Sequence, residues 1–307
     1  MTTAYVHHAD CNLHDMGSGH PECPARLDAI QDHLLASGLL DHLLDVSAPM
    51  ATREQLGRVH DARYLDAIEA ISPKRGVIHL DPDTAMNPHT YHAALHAAGA
   101  VIKATDLVMS GEIENAFCGV RPPGHHATRE RAMGFCFFNN VAVGAAHALA
   151  EHGLERVAIV DFDVHHGNGT EDIFASDPRV MMVSTFQHPF YPYSGVEGRS
   201  ERMVNVPLPA YSAGAEFRKA VEDHWLPALD RFRPRMVFIS AGFDAHRDDD
   251  MASLGLLEAD YAWVTGQMLE VARSHASGRI VSTLEGGYDL NALARSVAVH
   301  LRSLASL

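Results

Sequence analysis

Residues that could bind a metal follow an apolar run near the middle of the chain. The run 157–160 predicts a buried strand, and Asp161, Asp163 and His165 come directly after it. Side chains two residues apart in an extended segment point the same way, so these three can project to one side. A carboxylate beside an imidazole suits zinc, and also iron, manganese or cobalt. The stretch therefore predicts a divalent metal site, with a polar loop and a capping aspartate as the alternative.

Three further apolar runs are followed by residues that could take part in catalysis. These residues are the pair His125 and His126, then Asp244, and finally Tyr288. Because ligands bind at the carboxyl ends of the strands in an open parallel sheet, we expect the four loops to share one rim. Asp244 would complete three protein ligands and leave one position open for water, which is typical of catalytic zinc sites.

The histidine pair and the tyrosine could supply the rest of a hydrolytic site. A neutral histidine can accept a proton from a metal-bound water, while its neighbour, paired with Asp161, would stay charged. Tyr288 follows two glycines and could donate its hydroxyl hydrogen to a developing oxyanion. Taken alone, each feature also has an ordinary explanation, because histidine pairs occur by chance and tyrosines are common in turns.

Composition narrows the class of protein. The chain has 307 residues, 47% of them hydrophobic, and a formal charge of −15, which argues against nucleic-acid binding and is compatible with a cationic substrate. No apolar run approaches the roughly 18 residues of a membrane span, and the first residues lack a basic region before an apolar one. We therefore expect a cytoplasmic protein with no membrane partner. The cysteine spacings predict reduced, buried thiols at Cys11, Cys23, Cys118 and Cys136.

The elements that must position these residues alternate along the chain. After a first strand at 4–8, apolar runs predict strands at 116–120, 157–160, 180–184, 236–241 and 280–284. Helical spacing predicts helices at 24–38, 61–71, 88–110, 139–152, 171–175, 215–232, 258–275 and 291–304. The alternation is typical of a mostly parallel sheet with helices on both faces, and the absence of a linker predicts one domain, 1–307.

Two stretches do not follow this alternation. Residues 187–211 are rich in proline, glycine and aromatics, which predicts a long functional loop, either a rim or lid of a site or a subunit contact. His89, His92 and His96 share a face of the third helix. We interpret them as packing or surface histidines, because no carboxylate accompanies them. The oligomeric state stays open.

Taken together, the motifs resemble the histone deacetylase family within the arginase-deacetylase fold. The matching residues are 20–22 with Arg26, 121–126, 134–140, 161–169, 240–244 and 285–288. In this order they extend over almost the whole chain. The resemblance implies a single α/β domain with an eight-stranded parallel sheet, a narrow channel for an acyl-lysine type of substrate, and one catalytic zinc per chain.

The resemblance also implies a role for each matching residue. The zinc ligands would be Asp163, His165 and Asp244. His126 would be the general base, His125 with Asp161 its electrostatic partner, and Tyr288 the oxyanion donor. The substrate channel would involve Phe135, Tyr191, Met251, Gly134, Gly286 and, in an internal cavity, Arg26. A structural potassium would lie near Asp161, Ser184 and Thr185.

Two positions depart from the family pattern. Many members have an aspartate where this chain has Asn168, so electrostatic support for a charged His126 is weaker here. Members selective for acetylpolyamines tend to place a glutamate where this chain has Met251, whose thioether cannot pair with a second ammonium group. The preceding run 248–250 is acidic, and we expect it to be a solvated loop that attracts cations only at long range.

The expected function is zinc-dependent hydrolysis of the amide of an N-acetylated lysine or a related primary amine. One alternative is an amidohydrolase acting on acetylpolyamines or other small acyl-amines. A ureohydrolase with two manganese ions fits poorly, because His246 stands where a further carboxylate would be needed. A protein that binds an acyl-amine without turnover is the remaining alternative. The physiological substrate, its acyl-chain length and the native metal, zinc or iron, stay open.

Overall fold

Eight strands form one parallel sheet in the computed structural model, which describes residues 2–197 and 200–307. Together with a separate pair of short strands, the described strands are β1 (Thr3–His7), β2 (Leu43–Ser47), β3 (Ile78–His79), β4 (Ala85–Met86), β5 (Asn115–Cys118), β6 (Val157–Asp161), β7 (Val180–Gln187), β8 (Met203–Leu208), β9 (Val237–Ala241) and β10 (Ile280–Leu284). Their order in the sheet is β2-β1-β5-β10-β9-β6-β7-β8, while β3 and β4 form a separate antiparallel pair. The predicted eight-stranded parallel sheet is confirmed.

Helices cover both faces of this sheet. They are α1 (Ala25–Ala36), α2 (Arg53–Leu56), α3 (Ala62–Ile71), α4 (Thr90–Ser110), α5 (Asn140–Ala150), α6 (Asn168–Phe174), α7 (Gly214–Ala220), α8 (Leu226–Phe232), α9 (Glu258–His275) and α10 (Leu290–Ala305). On one face, Ser282 of β10 hydrogen-bonds His300 of α10. On the other, Phe238 of β9 lies against Gly144 of α5. No helix in the described ranges is long and apolar enough to cross a membrane.

The sequence missed two edge strands, the short pair β3 and β4, the short helix α2 and one irregular turn of helix. β2 is largely exposed, and β8 contains Asn205 and Pro207 and lies inside the segment expected to be an irregular loop. Edge strands need no continuous apolar run, because one of their sides faces water. The predicted helix 215–232 is interrupted by a π-helical turn at Val221–Trp225. This turn stands just before Pro227, which has no N–H group for regular helical bonding.

The outer edge of β8 is protected against pairing with another strand. Its hydrogen bonds to β7 use Arg202, Leu208 and the even-numbered residues between them, so the odd-numbered residues face outward. Of these, the N–H group of Met203 already donates to Ser200 Oγ, and Pro207 has none. Two of the three outward positions therefore cannot donate to a neighbouring strand.

Four adjacent strands at the centre of the sheet carry the candidate site. β5, β10, β9 and β6 are consecutive neighbours and run parallel, so their carboxyl ends meet at one edge. The histidine pair follows β5, Tyr288 follows β10, Asp244 follows β9, and Asp163 with His165 follows β6. The four loops thus share one rim, as the sequence predicts.

Candidate metal centre and active site

Asp163, His165 and Asp244 converge at the carboxyl ends of β6 and β9. The Nδ1 atom of His165 lies 2.9 Å from Asp163 Oδ1 and 3.2 Å from Asp244 Oδ2. All three side chains are buried, and together they form a group that could hold a metal ion. The structure therefore brings together the three donors that the sequence places in two separate loops.

Backbone amides orient the two carboxylates of this group. The N–H group of Val164 donates to Asp244 Oδ1 at 2.9 Å, and that of Gly286 donates to Asp163 Oδ2 at 2.8 Å. Asp244 Oδ2 is buried and, although His165 Nδ1 lies 3.2 Å away, makes no well-formed hydrogen bond among the described residues, a costly state that a cation would relieve. A Cβ atom at Gly242 would lie 2.1 Å from Asp163 Oδ2, and one at Gly286 would lie 2.0 Å from Asp244 Oδ2. The lack of a side chain at both glycines leaves room for the carboxylates.

The electrostatics of the group also favour a cation. Burial and the charge of Asp163 raise the pKa of Asp244 to about 6. Burial disfavours the charged form of Asp163 as well, but the charges of His125 and His165 outweigh it and hold the pKa of Asp163 well below its usual value. Carboxylates that repel each other in a buried site gain most from a divalent ion. Two aspartates and one histidine fit zinc, and also iron or manganese.

His125 and His126 lie beside this group with different partners. His125 Nδ1 donates to Asp161 Oδ2 at 2.9 Å, and His126 Nδ1 lies 2.7 Å from Asn168 Oδ1. The amide nitrogen of Asn168 faces Met133 Sδ at 3.4 Å, which assigns the amide oxygen to the side of His126. His126 therefore carries its proton on Nδ1 and keeps the lone pair of Nε2 free.

The two histidines also differ in charge. Burial opposes a charge on His125, but the carboxylates of Asp163 and Asp161 outweigh it and raise the pKa of His125 well above its ordinary value. Burial, followed by the charges of His125 and His165, lowers the pKa of His126 well below that value. These opposite shifts favour an imidazolium at His125 and a neutral imidazole at His126.

A cavity of about 200 Å³ leads to the group. Its lining comprises Asp83, His126, Gly134, Phe135, His165, Phe190, Tyr191, Met251 and Tyr288. The cavity is narrow at Gly134, where a Cβ atom would lie 2.4 Å from His126 Cδ2. Four of the predicted channel residues are therefore present: Gly134, Phe135, Tyr191 and Met251. Sequence reasoning missed Asp83, which lies in the turn between β3 and β4, and Phe190.

Gly286 and Arg26, also predicted for the channel, are not among the lining residues. The guanidinium group of Arg26 is buried, donates to the carbonyl oxygens of Glu285 at 2.5 Å and Gly287 at 2.6 Å, and lies 4.9 Å from the centre of the Tyr288 ring. Arg26 thus supports the turn that carries Tyr288. Burial and the charge of Asp244 raise the pKa of Tyr288 well above its usual value, so its hydroxyl stays protonated and can donate.

Asp161, Ser184 and Thr185, the residues expected near a structural potassium, lie on neighbouring strands. Asp161 ends β6 and is in register with Ser184 of β7. All three are buried, and Ser184 Oγ has no hydrogen-bond partner within the described ranges. A potassium site here stays a prediction.

Two other groups of side chains that could hold a metal occur in the described part of the chain. In the first, the rings of His8 and His96 stack with centroids 3.5 Å apart at 7°, so their nitrogen lone pairs lie in two parallel planes and cannot meet at one point. Asp10 Oδ2 lies 3.5 Å from His96 Nε2, so the premise that no carboxylate accompanies His96 is wrong. In the second, Asp106 Oδ1 accepts hydrogen bonds from the rings of His147 and His152. Stacking and hydrogen bonding explain both groups.

Comparison with known proteins identifies the family of the chain. The family model of the histone deacetylase domain matches residues 20–304. A histone deacetylase-like amidohydrolase of Pseudomonas aeruginosa is 41% identical over 278 residues, which cover 88% of this chain and 73% of the relative. A probable deacetylase of Archaeoglobus fulgidus is 37% identical over 298 residues, covering 94% and 82%. The polyamine deacetylase HDAC10 of Mus musculus is 37% identical over 331 residues, covering 99% of this chain but 48% of the relative.

A solved structure, that of the HDA15 HD domain, has the same architecture. The TM-score is 0.92 at 33% identity, and the alignment covers 99% of this chain and 88% of that chain. The match defines a single α/β domain of the arginase-deacetylase type and places the chain among the hydrolases that act on amides. The chain belongs to the histone deacetylase family.

Proposed function

We propose that this chain is a zinc-dependent deacetylase that hydrolyses the amide of an N-acetylated lysine or a related primary amine. One observation carries the proposal: His165, one of three converging donors, lines the same narrow cavity as His126 and Tyr288. Asp163, His165 and Asp244 would hold the zinc. Zinc bound there would polarise the acyl carbonyl group and lower the pKa of a water molecule.

His126 is the proposed general base. Its neutral ring accepts a proton from the attacking water at Nε2, because Nδ1 already holds a proton directed at Asn168. The same nitrogen then returns the proton to the leaving amine. His125, charged through its bond to Asp161, keeps a positive charge beside the reacting atoms as negative charge develops on the substrate.

Tyr288 is the proposed oxyanion donor, and the aromatic walls position the substrate. The protonated hydroxyl of Tyr288 donates to the carbonyl oxygen as it gains negative charge. The Phe135 ring meets the Tyr288 ring edge-on at 5.9 Å, and the Tyr191 ring meets His126 edge-on at 5.2 Å. A tube with such walls accepts a thin apolar stem, such as the four methylene groups of a lysine side chain.

The rim bears on the choice between acyl-lysine and acetylpolyamine. Asp83 is the one carboxylate among the lining residues of the cavity, and burial, followed by its contact with Asp81, raises its pKa. Met251, at the position expected for a polyamine-selecting glutamate, lines the cavity with an uncharged side chain. We therefore expect acetyl-lysine peptides to be hydrolysed with higher kcat/KM than acetylpolyamines.

A substrate panel with metal analysis tests the proposal. One preparation is loaded with zinc, its metal content is measured by elemental analysis, and acetyl-lysine peptides, acetylpolyamines and longer acyl amides are assayed side by side. One metal per chain and hydrolysis that is lost in Tyr288→Phe support the deacetylase. Two metals per chain would favour the ureohydrolase, although His246 lies outside the donor group and 3.4 Å from Glu258. No hydrolysis of any substrate would favour the binding protein.

Three further expectations stay predictions alongside this proposal. They are a single catalytic domain over residues 1–307, a cytoplasmic location, and a structural potassium near Asp161, Ser184 and Thr185. The first is testable by limited proteolysis, and the last by measuring whether potassium, at constant ionic strength, raises the thermal midpoint more than sodium.

A further inference from the structure

Asp249 is buried in the rim loop that connects β9 to α9. The sequence predicts a solvated run of acids at 248–250, and this prediction is wrong for its middle residue. Asp249 is 4% exposed, whereas Asp248 and Asp250 on either side of it are exposed. Within the described ranges, no lysine, arginine or histidine nitrogen lies within 4.0 Å of its carboxylate. A buried carboxylate without an ion-pair partner must be stabilised by hydrogen bonds.

Backbone amides supply those bonds, and two of them belong to the turn that carries Tyr288. Asp249 Oδ2 accepts from the N–H groups of Tyr288 at 2.6 Å and Asp289 at 3.0 Å. Asp249 Oδ1 accepts from the N–H group of Met251 at 3.0 Å. One carboxylate therefore joins the backbone at the proposed oxyanion donor to the backbone of a residue that lines the channel.

The turn needs this support because it contains two glycines. Gly287 has φ of +121°, a conformation open to glycine, and glycines give a turn freedom to adopt others. Arg26 holds the carbonyl oxygens of Glu285 and Gly287, while Asp249 holds the N–H groups of Tyr288 and Asp289. The positive charge of Arg26 thus binds the carbonyl groups of the turn, and the carboxylate of Asp249 binds its amides.

We infer that Asp249 is a positioning residue that fixes the backbone of Tyr288, so that its hydroxyl is held where the carbonyl oxygen of the substrate gains charge. The inference rests on the proposed deacetylase function. Asp249 is not among the residues that line the cavity. It acts through Tyr288, and its bond to Met251 makes the channel rim and the oxyanion donor parts of one hydrogen-bonded unit.

The rival explanation is a purely structural role at the start of α10. Asp289 is the residue that caps this helix, and its carboxylate accepts from Ala292 at 2.7 Å. If Asp249 only stabilised the helix start, its removal would lower stability without a selective effect on the chemical step. A test must therefore separate the effect on Tyr288 from the effect on folding.

The perturbation is Asp249→Asn, with Asp250→Asn as the matched control. The asparagine keeps the size of the side chain but replaces one acceptor oxygen by an NH2 group, which would face an N–H donor in either orientation. The control makes the same chemical change at the exposed neighbour. We expect Asp249→Asn to lower kcat about 10- to 100-fold, since small misplacements of a catalytic group have effects of this size, with KM and zinc content close to those of the control.

A double-mutant cycle with Tyr288→Phe completes the activity test. Once the hydroxyl is absent, its position no longer matters, so adding Asp249→Asn to Tyr288→Phe should cost less than about threefold. An undiminished loss of kcat in the Tyr288→Phe background would overturn the inference, as would a wild-type kcat in Asp249→Asn alone.

Hydrogen–deuterium exchange provides a readout that does not depend on activity. Peptides covering residues 285–289 should exchange at least about tenfold faster in Asp249→Asn than in Asp250→Asn, because two of their amides lose a charged acceptor. Unchanged exchange in these peptides would overturn the inference even in a protein that hydrolyses nothing. Absence of hydrolysis by the wild type, combined with faster exchange in Asp249→Asn, would refute the proposed function and leave the backbone positioning supported.

Discussion

Replacing Asn168 by aspartate should shift the pH dependence of hydrolysis to higher pH. Asn168 Oδ1 lies 2.7 Å from His126 Nδ1, so Asn168→Asp places a carboxylate directly on the proposed general base. Opposite charges roughly 4 Å apart interact by about 4 kcal/mol at an effective dielectric constant of about 20. At about 1.4 kcal/mol per pH unit, this would raise the pKa of His126 by up to about 3 units. The cost of burying the new carboxylate reduces the shift to between about 1 and 3 units.

The direction of the shift follows from the role of the base. In the wild type, burial and the charge of His125 lower the pKa of His126, so its ring is neutral across the neutral range. A base is active only above its pKa. Raising that pKa therefore moves the acid limb of the kcat/KM profile toward higher pH, and activity near pH 6 falls while activity on the plateau is retained.

The assay is a pH profile of kcat/KM from about pH 5 to 9 with a zinc-loaded preparation and an uncharged acetyl-lysine substrate. Asn291→Asp is the matched control, because it makes the same change at an exposed position in the first turn of α10. Superimposable acid limbs for Asn168→Asp and the control would refute the assignment of His126 as the titrating base. A shift to lower pH would refute the electrostatic reasoning itself.

Three further perturbations test other parts of the site and the fold. Tyr288→Phe should lower kcat by about 10²- to 10³-fold in steady-state assays with little change in KM, since only the oxyanion donor is lost; a fall of less than about threefold would contradict this role. Gly242→Ala should reduce zinc content in elemental analysis, because its Cβ atom would lie 2.1 Å from Asp163 Oδ2. Gly266→Ala is the control and should keep its zinc, because a Cβ atom at Gly266 would meet no neighbouring atom within 4 Å. Equal zinc content in the two variants would contradict the steric argument. Burial lowers the pKa of His300 from 6.5 to about 3, so the folded state resists a proton that the unfolded state accepts, and stability falls as pH drops from about 6.5 toward 3. His300→Gln should flatten this slope by up to about 1.4 kcal/mol per pH unit in urea titrations, whereas parallel slopes would show that His300 does not titrate in this way.

The central elements of the fold could be predicted because their local patterns and their packing agree. The strand Ile280–Leu284 and the helix Glu258–His275 have the predicted bounds. A fully buried strand in a parallel sheet is mostly apolar, and a short apolar stretch is visible in the sequence. The edge strands β2 and β8 need no such run, and their backbone pairing depends on neighbours that no local window contains.

The candidate metal-binding group was predictable for a similar reason. Asp163, His165 and Asp244 each follow a buried strand, and parallel strands deliver their following loops to one edge of the sheet. Asp249 and Asp83 were not predictable. Residues 248–250 are three identical acids, and only the contact with the turn after β10 determines which of them is buried.

The turn at residues 285–288 has a consequence for which changes the protein tolerates. Its backbone serves several loops at once, because the amide of Gly286 reaches Asp163, its carbonyl oxygen accepts from Phe243, and the amide of Tyr288 reaches Asp249. These bonds depend on the length of the turn more than on its side chains. Inserting or deleting a single residue there would put every loop out of alignment together, whereas distant surface loops could vary in length without disturbing the chemistry.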